Sequence, residues 1–239
     1  MGRRIMEIKL KQRFISFRIL NQGFTIVELI VAMAVSLLVM GAICSTFLSQ
    51  NKSYLAQEEV AAMQQNLRAA MFYMQREIRM AGCDPFEIGG IGITAANANS
   101  ISFTEDVTGN TTGSPPDGDV LDANESITYS MNGGNLTRNT GGGNQVVAQN
   151  IDALDFVYLD GSSPPVVLNP GGGNVAAGSL STIRSVEITI VARTGRGLQP
   201  SINNNTYLNQ QGTQILGPQN DNFSRRCLTT FIKCRNLGL

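Results

Sequence analysis

The hydrophobic positions along the chain follow two different patterns before residue 82. Residues 24–48 form an almost unbroken apolar run in which Glu28 is the only charged side chain. In a helix these 25 residues extend about 37 Å, enough to cross a bilayer core of about 30 Å. Residues 49–81 contain no Gly or Pro, and their apolar side chains recur at spacings of three and four: Met63, Leu67, Ala70, Met71, Met74 and Ile78. The two patterns predict one helix from about residue 25 to 81, amphipathic in its second half.

Beyond this helix the pattern changes to short apolar runs separated by Gly, Asn, Ser and Thr. Gly82 and Pro85 predict the end of the helix, because Gly caps a helix C-terminus and Pro cannot continue it. Short apolar runs, several of them alternating with polar residues, predict strands at 101–104, 127–131, 136–138, 151–159, 183–192 and 228–234. The sequence therefore predicts a β-rich head after the helix.

The strand at 183–192 is the clearest of these. Val186, Ile188 and Ile190 are expected to face the core, and Glu187 and Thr189 to face outward. Polar stretches at 105–125, 160–181 and 194–222 predict long loops, the last of them mobile. The fold class is therefore α+β, a long N-terminal helix packed on an antiparallel β-sheet head with long loops.

The first 23 residues are basic, with six Lys and Arg side chains against a single Glu, a net charge of +5. Because the whole chain is neutral, residues 24–239 carry a net charge of −5. Basic residues beside an apolar segment stay in the cytoplasm, which puts the head on the outer side of the membrane. A mildly acidic head also argues against a nonspecific nucleic-acid surface.

The composition argues against an enzyme. The chain contains no histidine, which excludes Ser-His-Asp and Cys-His catalysis and most catalytic zinc sites. Asp117, Asp119, Asp122 and Glu125 form an acidic loop, but their spacing does not match an EF-hand, so a solvated loop is favoured over a calcium site. We expect no catalytic residue, no cofactor and no metal.

Four cysteines occur, and Cys44, inside the apolar run, is expected to act as a small apolar residue. Cys83, Cys227 and Cys234 belong to the expected periplasmic part, where disulfides can form. Cys227 and Cys234 lie about 20 Å apart if they share an extended strand, so they can pair only around a turn. Cys83 with one of the other two is the preferred disulfide, and free buried thiols are the alternative.

The stretch Gly23-Phe24-Thr25-Ile26-Val27-Glu28 opens the apolar run. A carboxylate at the centre of a bilayer costs about 2.5–3.5 kcal/mol on insertion scales, so Glu28 requires a partner. Phe24 lies one helical turn before Glu28 on the same face. An amine on residue 24, of the same chain or of a neighbouring one, could neutralise the carboxylate.

This stretch resembles the cleavage and methylation site of type IV prepilins. The resemblance implies that a prepilin peptidase cuts after Gly23 and methylates the new N-terminal Phe24, and that Glu28 faces the N-terminal ammonium of a neighbouring subunit. The helix end Arg76-Glu77-Ile78-Arg79-Met80-Ala81-Gly82 and the C-terminal segment 225–237 resemble PilW-type minor pilins. J-type minor pseudopilins of type II secretion share the architecture and remain an alternative.

The resemblance implies a minor pilin that primes, joins or caps a type IV pilus. Its partners would be other pilins, the peptidase and the inner-membrane assembly platform, and it would reach the cell surface after assembly. The predicted organisation is a cleaved leader (1–23), a transmembrane and assembly helix (24–48), a periplasmic half of the helix (49–82) and a head (83–239). A tip adhesin or DNA-uptake module is a further alternative. DNA binding would require a basic patch drawn from Arg184, Arg193, Arg196, Arg225, Arg226, Lys233 and Arg235.

Overall fold

The computed structural model describes residues 23–111, 113–198 and 202–238. The predicted leader, residues 1–23, lies outside the described residues except for Gly23. The described chain divides into two compact units, with the boundary between Asn51 and Lys52.

One long helix, α1, runs from Ile26 to Met80 over 55 residues, within one residue of the predicted bounds at each end. Its buried side chains are the six that the three- and four-residue spacing predicted: Met63, Leu67, Ala70, Met71, Met74 and Ile78. The helix ends as the sequence predicts. Gly82 adopts a left-handed φ of 80°, and the Cys83 amide donates to the Met80 carbonyl at 2.9 Å. The local sequence therefore determines both the length of α1 and the face that it buries.

The second unit also contains ten strands and a short 3₁₀ helix, Ala177–Thr182. The strands are β1 (Ile93–Asn97), β2 (Ser100–Thr104), β3 (Ser126–Asn132), β4 (Asn135–Asn139), β5 (Asn144–Ala148), β6 (Ile151–Leu159), β7 (Ser185–Arg193), β8 (Tyr207–Leu208), β9 (Gln214–Leu216) and β10 (Arg225–Lys233).

These strands form antiparallel sheets of five, three and two strands. The five-stranded sheet has the order β1-β2-β3-β4-β5, in which each strand pairs with the next along the chain. The three-stranded sheet has the order β10-β7-β6, with β7 in the middle, and β8 pairs with β9. The α+β prediction of a long helix and an antiparallel β-sheet head is confirmed.

The two larger sheets meet where β6 passes the turn between β1 and β2. The Phe156 amide donates to the Ala98 carbonyl at 2.7 Å, and the buried Tyr158 hydroxyl donates to the carbonyls of Asn97 and Ser100. Leu154, Phe156 and Tyr158 enter one core with the buried face of α1 and with the inner residues of both sheets. Helix and sheets therefore share a single hydrophobic core within the second unit.

Thr189 lies on the face of β7 opposite the core, as predicted, but that face is not open to solvent at this position. Its side chain is only 1% exposed, because residues 207–216 lie over that face of the three-stranded sheet. Asn209 donates to the Asp155 carboxylate at 2.9 Å, and Asp155 is the β6 partner of Thr189. Gln211 likewise donates to Glu187 at 2.8 Å. The second face is therefore covered at β6 and part of β7, whereas Thr229 and Phe231 on β10 are exposed.

The described part of segment 194–222 is thus more than a loop, and its mobility stays a prediction. It contains β8 and β9. It is also held by Arg225, whose side chain is 2% exposed and whose guanidinium donates to both oxygens of Asp221 at 2.6 Å. The terminal strand β10 also begins at Arg225 and not at the predicted residue 228. Strands β1 and β5 were not predicted.

Candidate functional site

The sequence motif at the start of α1 forms a reciprocal cap. The Thr25 amide and the Thr25 hydroxyl both donate to Oε2 of Glu28 at 2.9 Å, and the Glu28 amide donates back to the Thr25 hydroxyl at 3.2 Å. This is a capping box, in which a Thr and a Glu three residues later satisfy the free amides of the first helical turn. The Thr-x-x-Glu spacing was visible in the sequence, but this role of Glu28 was not predicted.

Gly23 and Phe24 precede α1 and leave the peptide bond between them accessible. The Phe24 side chain is 90% exposed. A Cβ added to Gly23 would meet no atom within 4 Å, so nothing in the described fold requires glycine at this position. A requirement for glycine here would therefore come from a molecule that acts on the chain.

The first part of α1 exposes an unusual amount of apolar surface. Every residue from Gly23 to Leu55 is exposed, including Ile30, Leu37, Leu38, Ile43 and Phe47, each at more than half of its full surface. Soluble monomers rarely expose apolar patches larger than a few hundred Å². Among the described residues, α1 is the one helix long and apolar enough to cross a membrane. This segment suits a membrane anchor or a bundle of similar helices.

A polar network inside the second unit ties α1 to the five-stranded sheet. The Tyr129 hydroxyl donates to the Glu77 carboxylate at 2.6 Å, and Arg138 donates to the same oxygen at 2.9 Å. Burial and then the bond to Glu77 raise the pKa of Tyr129, so the phenol stays neutral. No local sequence pattern predicts this network, because Glu77 and Tyr129 are 52 positions apart.

The acidic loop between β2 and β3 is more concentrated in space than its sequence spacing indicates. Asp117, Asp119 and Asp122 each place one carboxylate oxygen within 4.8 Å of the others. Burial, and then the charges of Asp117 and Glu125, raise the pKa of Asp122. The spacing of these residues in the sequence does not predict this arrangement of the three carboxylates.

The cysteines are all free thiols in the described residues. A disulfide between Cys227 and Cys234 would require a turn between them. Cys227 lies exposed on β10 and Cys234 is buried just past its end, so no turn separates them and this disulfide is excluded. Cys83, just past α1, is half-buried, and burial raises the pKa of its thiol. A disulfide between Cys83 and Cys227 or Cys234 is not formed in this structure and stays a prediction.

The basic side chains that might have formed a DNA-binding patch are partly engaged elsewhere. Arg225 and Arg193 pair with Asp152 at 2.6 and 3.2 Å, and Arg196 pairs with Glu59 at 3.7 Å. Neutralised guanidinium groups contribute little to phosphate binding. These ion pairs favour the prediction that the chain has no nucleic-acid partner, which stays a prediction.

Two comparisons with known proteins agree with this geometry. The prokaryotic N-terminal methylation motif matches residues 19–43. The structure is similar to the type IV-like pilin TTHA1219 from Thermus thermophilus, with a TM-score of 0.52. That alignment covers 74% of this chain and 97% of the pilin at 13% sequence identity, so the likeness is one of fold. No curated protein matches the sequence significantly.

The motif and the fold together define the class of the protein. It carries the prokaryotic N-terminal methylation motif on residues 19–43 and has the fold of a type IV-like pilin. The predicted pilin fold is thereby confirmed, and the narrower PilW-type assignment stays a prediction.

Proposed function

We propose that this chain is a minor pilin that takes part in assembling a type IV pilus. A prepilin peptidase cuts between Gly23 and Phe24 and methylates Phe24. The chain then waits in the inner membrane with its head in the periplasm, until α1 enters the helical bundle of the filament. The observation that carries this proposal is the exposed apolar surface of residues 24–55 on a helix that begins with the methylation motif.

Glu28 has a second role in this proposal. Its Oε2 closes the capping box, and no hydrogen bond from a described residue reaches Oε1. Oε1 is therefore available to the ammonium that cleavage creates at Phe24, in the same subunit or in a neighbour. Each charge makes the other tolerable in an apolar bundle, since an unpaired buried charge is strongly disfavoured.

A Glu28→Ala variant tests this role. We expect cleavage and methylation to proceed but incorporation into filaments to fall at least tenfold, because the ammonium loses its partner. Immunoblots of sheared filaments, compared with whole-cell levels in a strain lacking the native gene, measure incorporation. Glu58→Ala is the matched control, since Glu58 is an exposed carboxylate on the same helix. Equal incorporation of the two variants contradicts the pairing.

The J-type pseudopilin alternative predicts a different deletion phenotype. A minor pilin is required for normal piliation, whereas a minor pseudopilin is required for the export of secreted proteins. Counting surface pili and assaying secreted proteins in the same deletion strain separates the two machines. Loss of secretion with unchanged piliation would reassign the chain to type II secretion.

A further inference from the structure

The loop that joins β2 to β3 concentrates negative charge and contains no basic residue of its own. No Lys or Arg occurs in the sequence between Arg79 and Arg138. The same stretch holds the carboxylates of Glu105, Asp106, Asp117, Asp119, Asp122 and Glu125. The structure brings one oxygen each of Asp117, Asp119 and Asp122 within 4.8 Å of one another. Like charges at this spacing repel one another unless a cation lies among them.

Asp106 provides an independent observation at the same place. Its side chain is fully buried, at 0% exposure, and its Oδ2 accepts the amide of Gly118 at 3.0 Å. Gly118 stands between Asp117 and Asp119, so the Asp106 carboxylate lies against the cluster from the protein side. Its Oδ1 is buried and has no hydrogen-bond partner. A carboxylate oxygen in that position is costly unless a positive charge faces it.

Asp122 also has a buried carboxylate oxygen without a hydrogen-bond partner. Its Oδ2 is buried and has no partner, although the residue belongs to a surface loop. Asp106 and Asp122 therefore each have one carboxylate oxygen that is buried without a hydrogen-bond partner, the first beneath the loop and the second on it.

Glu125 differs from the four aspartates because its carboxylate is already saturated. Oε1 accepts the amides of Val107 and Thr108 at 3.1 and 2.9 Å and the Thr108 hydroxyl at 3.2 Å. Oε2 accepts the Asp122 amide at 3.2 Å. Glu125 therefore holds the two ends of the loop together and is not itself available as a ligand.

We propose that Asp117, Asp119 and Asp122 bind a calcium ion, and that the buried Asp106 beside them adds negative charge to the site. The three carboxylates supply hard oxygen ligands, and calcium accepts irregular sets of six to eight oxygens, with water completing the shell. Magnesium fits less well, because it demands near-ideal octahedral geometry and gives up its water reluctantly. The spacing of the three ligands matches no EF-hand, and Asp106 comes from a separate stretch of the chain. The site lies in the head and does not depend on the pilin function proposed above.

Calcium titration of the full chain in detergent, after treatment with a chelator, tests this proposal. We expect a single site with a dissociation constant on the order of 0.1–1 mM, as in extracellular calcium modules. Calcium at about 100 times that constant should raise the melting temperature by roughly 5–10 °C. Magnesium at the same concentration, and NaCl at the same ionic strength, should give less than half of that shift.

Two variants and a control make the test specific to the site. Asp106→Asn keeps an acceptor for the Gly118 amide but removes the buried charge, so without calcium it should melt at or above the wild-type temperature. Asp119→Asn changes a half-buried ligand on the loop. Both should weaken calcium binding at least tenfold, whereas Asp160→Asn, in another loop, should leave it unchanged.

Three results would overturn the proposal. The first is the absence of both binding heat and a shift in melting temperature at calcium concentrations up to about 10 times the upper expected dissociation constant. The second is wild-type calcium affinity in both Asp106→Asn and Asp119→Asn. The third is an equal shift with magnesium or with NaCl, which would show general screening of charge.

Discussion

At the scale of single residues, Glu105 shows how burial changes the pKa of a carboxyl group. It follows β2 directly and is 7% exposed, and its Oε2 has no hydrogen-bond partner. Burial, and then the charge of Glu77, raise its pKa to about 7. A carboxyl group whose pKa is raised in the folded state binds a proton that the unfolded chain has released. Stability is therefore lost as the pH rises from about 4.5 towards 7.

A Glu105→Gln variant should remove this pH dependence. Between pH 4.5 and 7.5 we expect the free energy of unfolding of the wild type to fall by about 2 kcal/mol relative to the variant. Urea unfolding of the detergent-solubilised chain at a series of pH values measures the difference. Glu58→Gln serves as the exposed control and should follow the wild type. A wild-type curve parallel to that of Glu105→Gln would show that Glu105 is ionised in the fold.

Some residue-scale features could be predicted and others could not. Thr25 and Glu28 are three apart at the start of a helix, so a local rule is enough to find their bond. Asp106 and Gly118, or Glu77 and Tyr129, meet only after the sheet has formed. No local pattern distinguishes such a carboxylate from an ordinary surface one.

At the scale of elements, α1 follows almost entirely from its own sequence. Every position of the predicted apolar stripe is buried, because the helical period fixes which side chains share a face. Met74 lies at the centre of that stripe and is fully buried, whereas Phe72, two residues earlier, points away and is mostly exposed.

A Met74→Ala substitution should therefore destabilise the head by about 2–5 kcal/mol, since it leaves a cavity in the shared core. Phe72→Ala, on the opposite side, should cost under about 1 kcal/mol. Urea unfolding of the full chain in detergent measures both. A similar loss of stability for the two variants would mean that the helix does not pack through the predicted face.

Some strands have a strong hydrophobic pattern in the sequence, whereas others depend on contacts with the rest of the fold. Strands β6 and β7 are long and rich in β-branched and aromatic residues, so they were predicted from sequence. Strand β1 is rich in Ala and β5 is largely exposed, so neither shows a buried, alternating pattern. Strands β8 and β9 are short. The segment around them is held by a long-range bond from Asn209 to Asp155 and by the pair that Asp221 forms with Arg225, at the start of β10.

At the scale of the whole molecule, the two units present opposite kinds of surface. The buried apolar side chains of the second unit form one core. In the first unit the apolar residues of α1 from Ile26 to Leu48 find no partner within the described chain. Burying such surface contributes roughly 25 cal/mol per Å², so a lipid or a bundle of identical helices is strongly favoured over water. Membrane insertion before assembly and helix packing after it both satisfy this requirement.

Processing between Gly23 and Phe24 is the step on which the proposed function depends most. Mass spectrometry of the N-terminal peptide of the protein purified from its host tests this directly. Gly23→Ala, which the described fold accommodates without a clash, is the control and should accumulate as the uncut precursor. We predict a mature chain that begins at Phe24 and is one methyl group heavier than the unmodified peptide. A chain that keeps its basic leader, or that begins at any other residue, would contradict the proposed function.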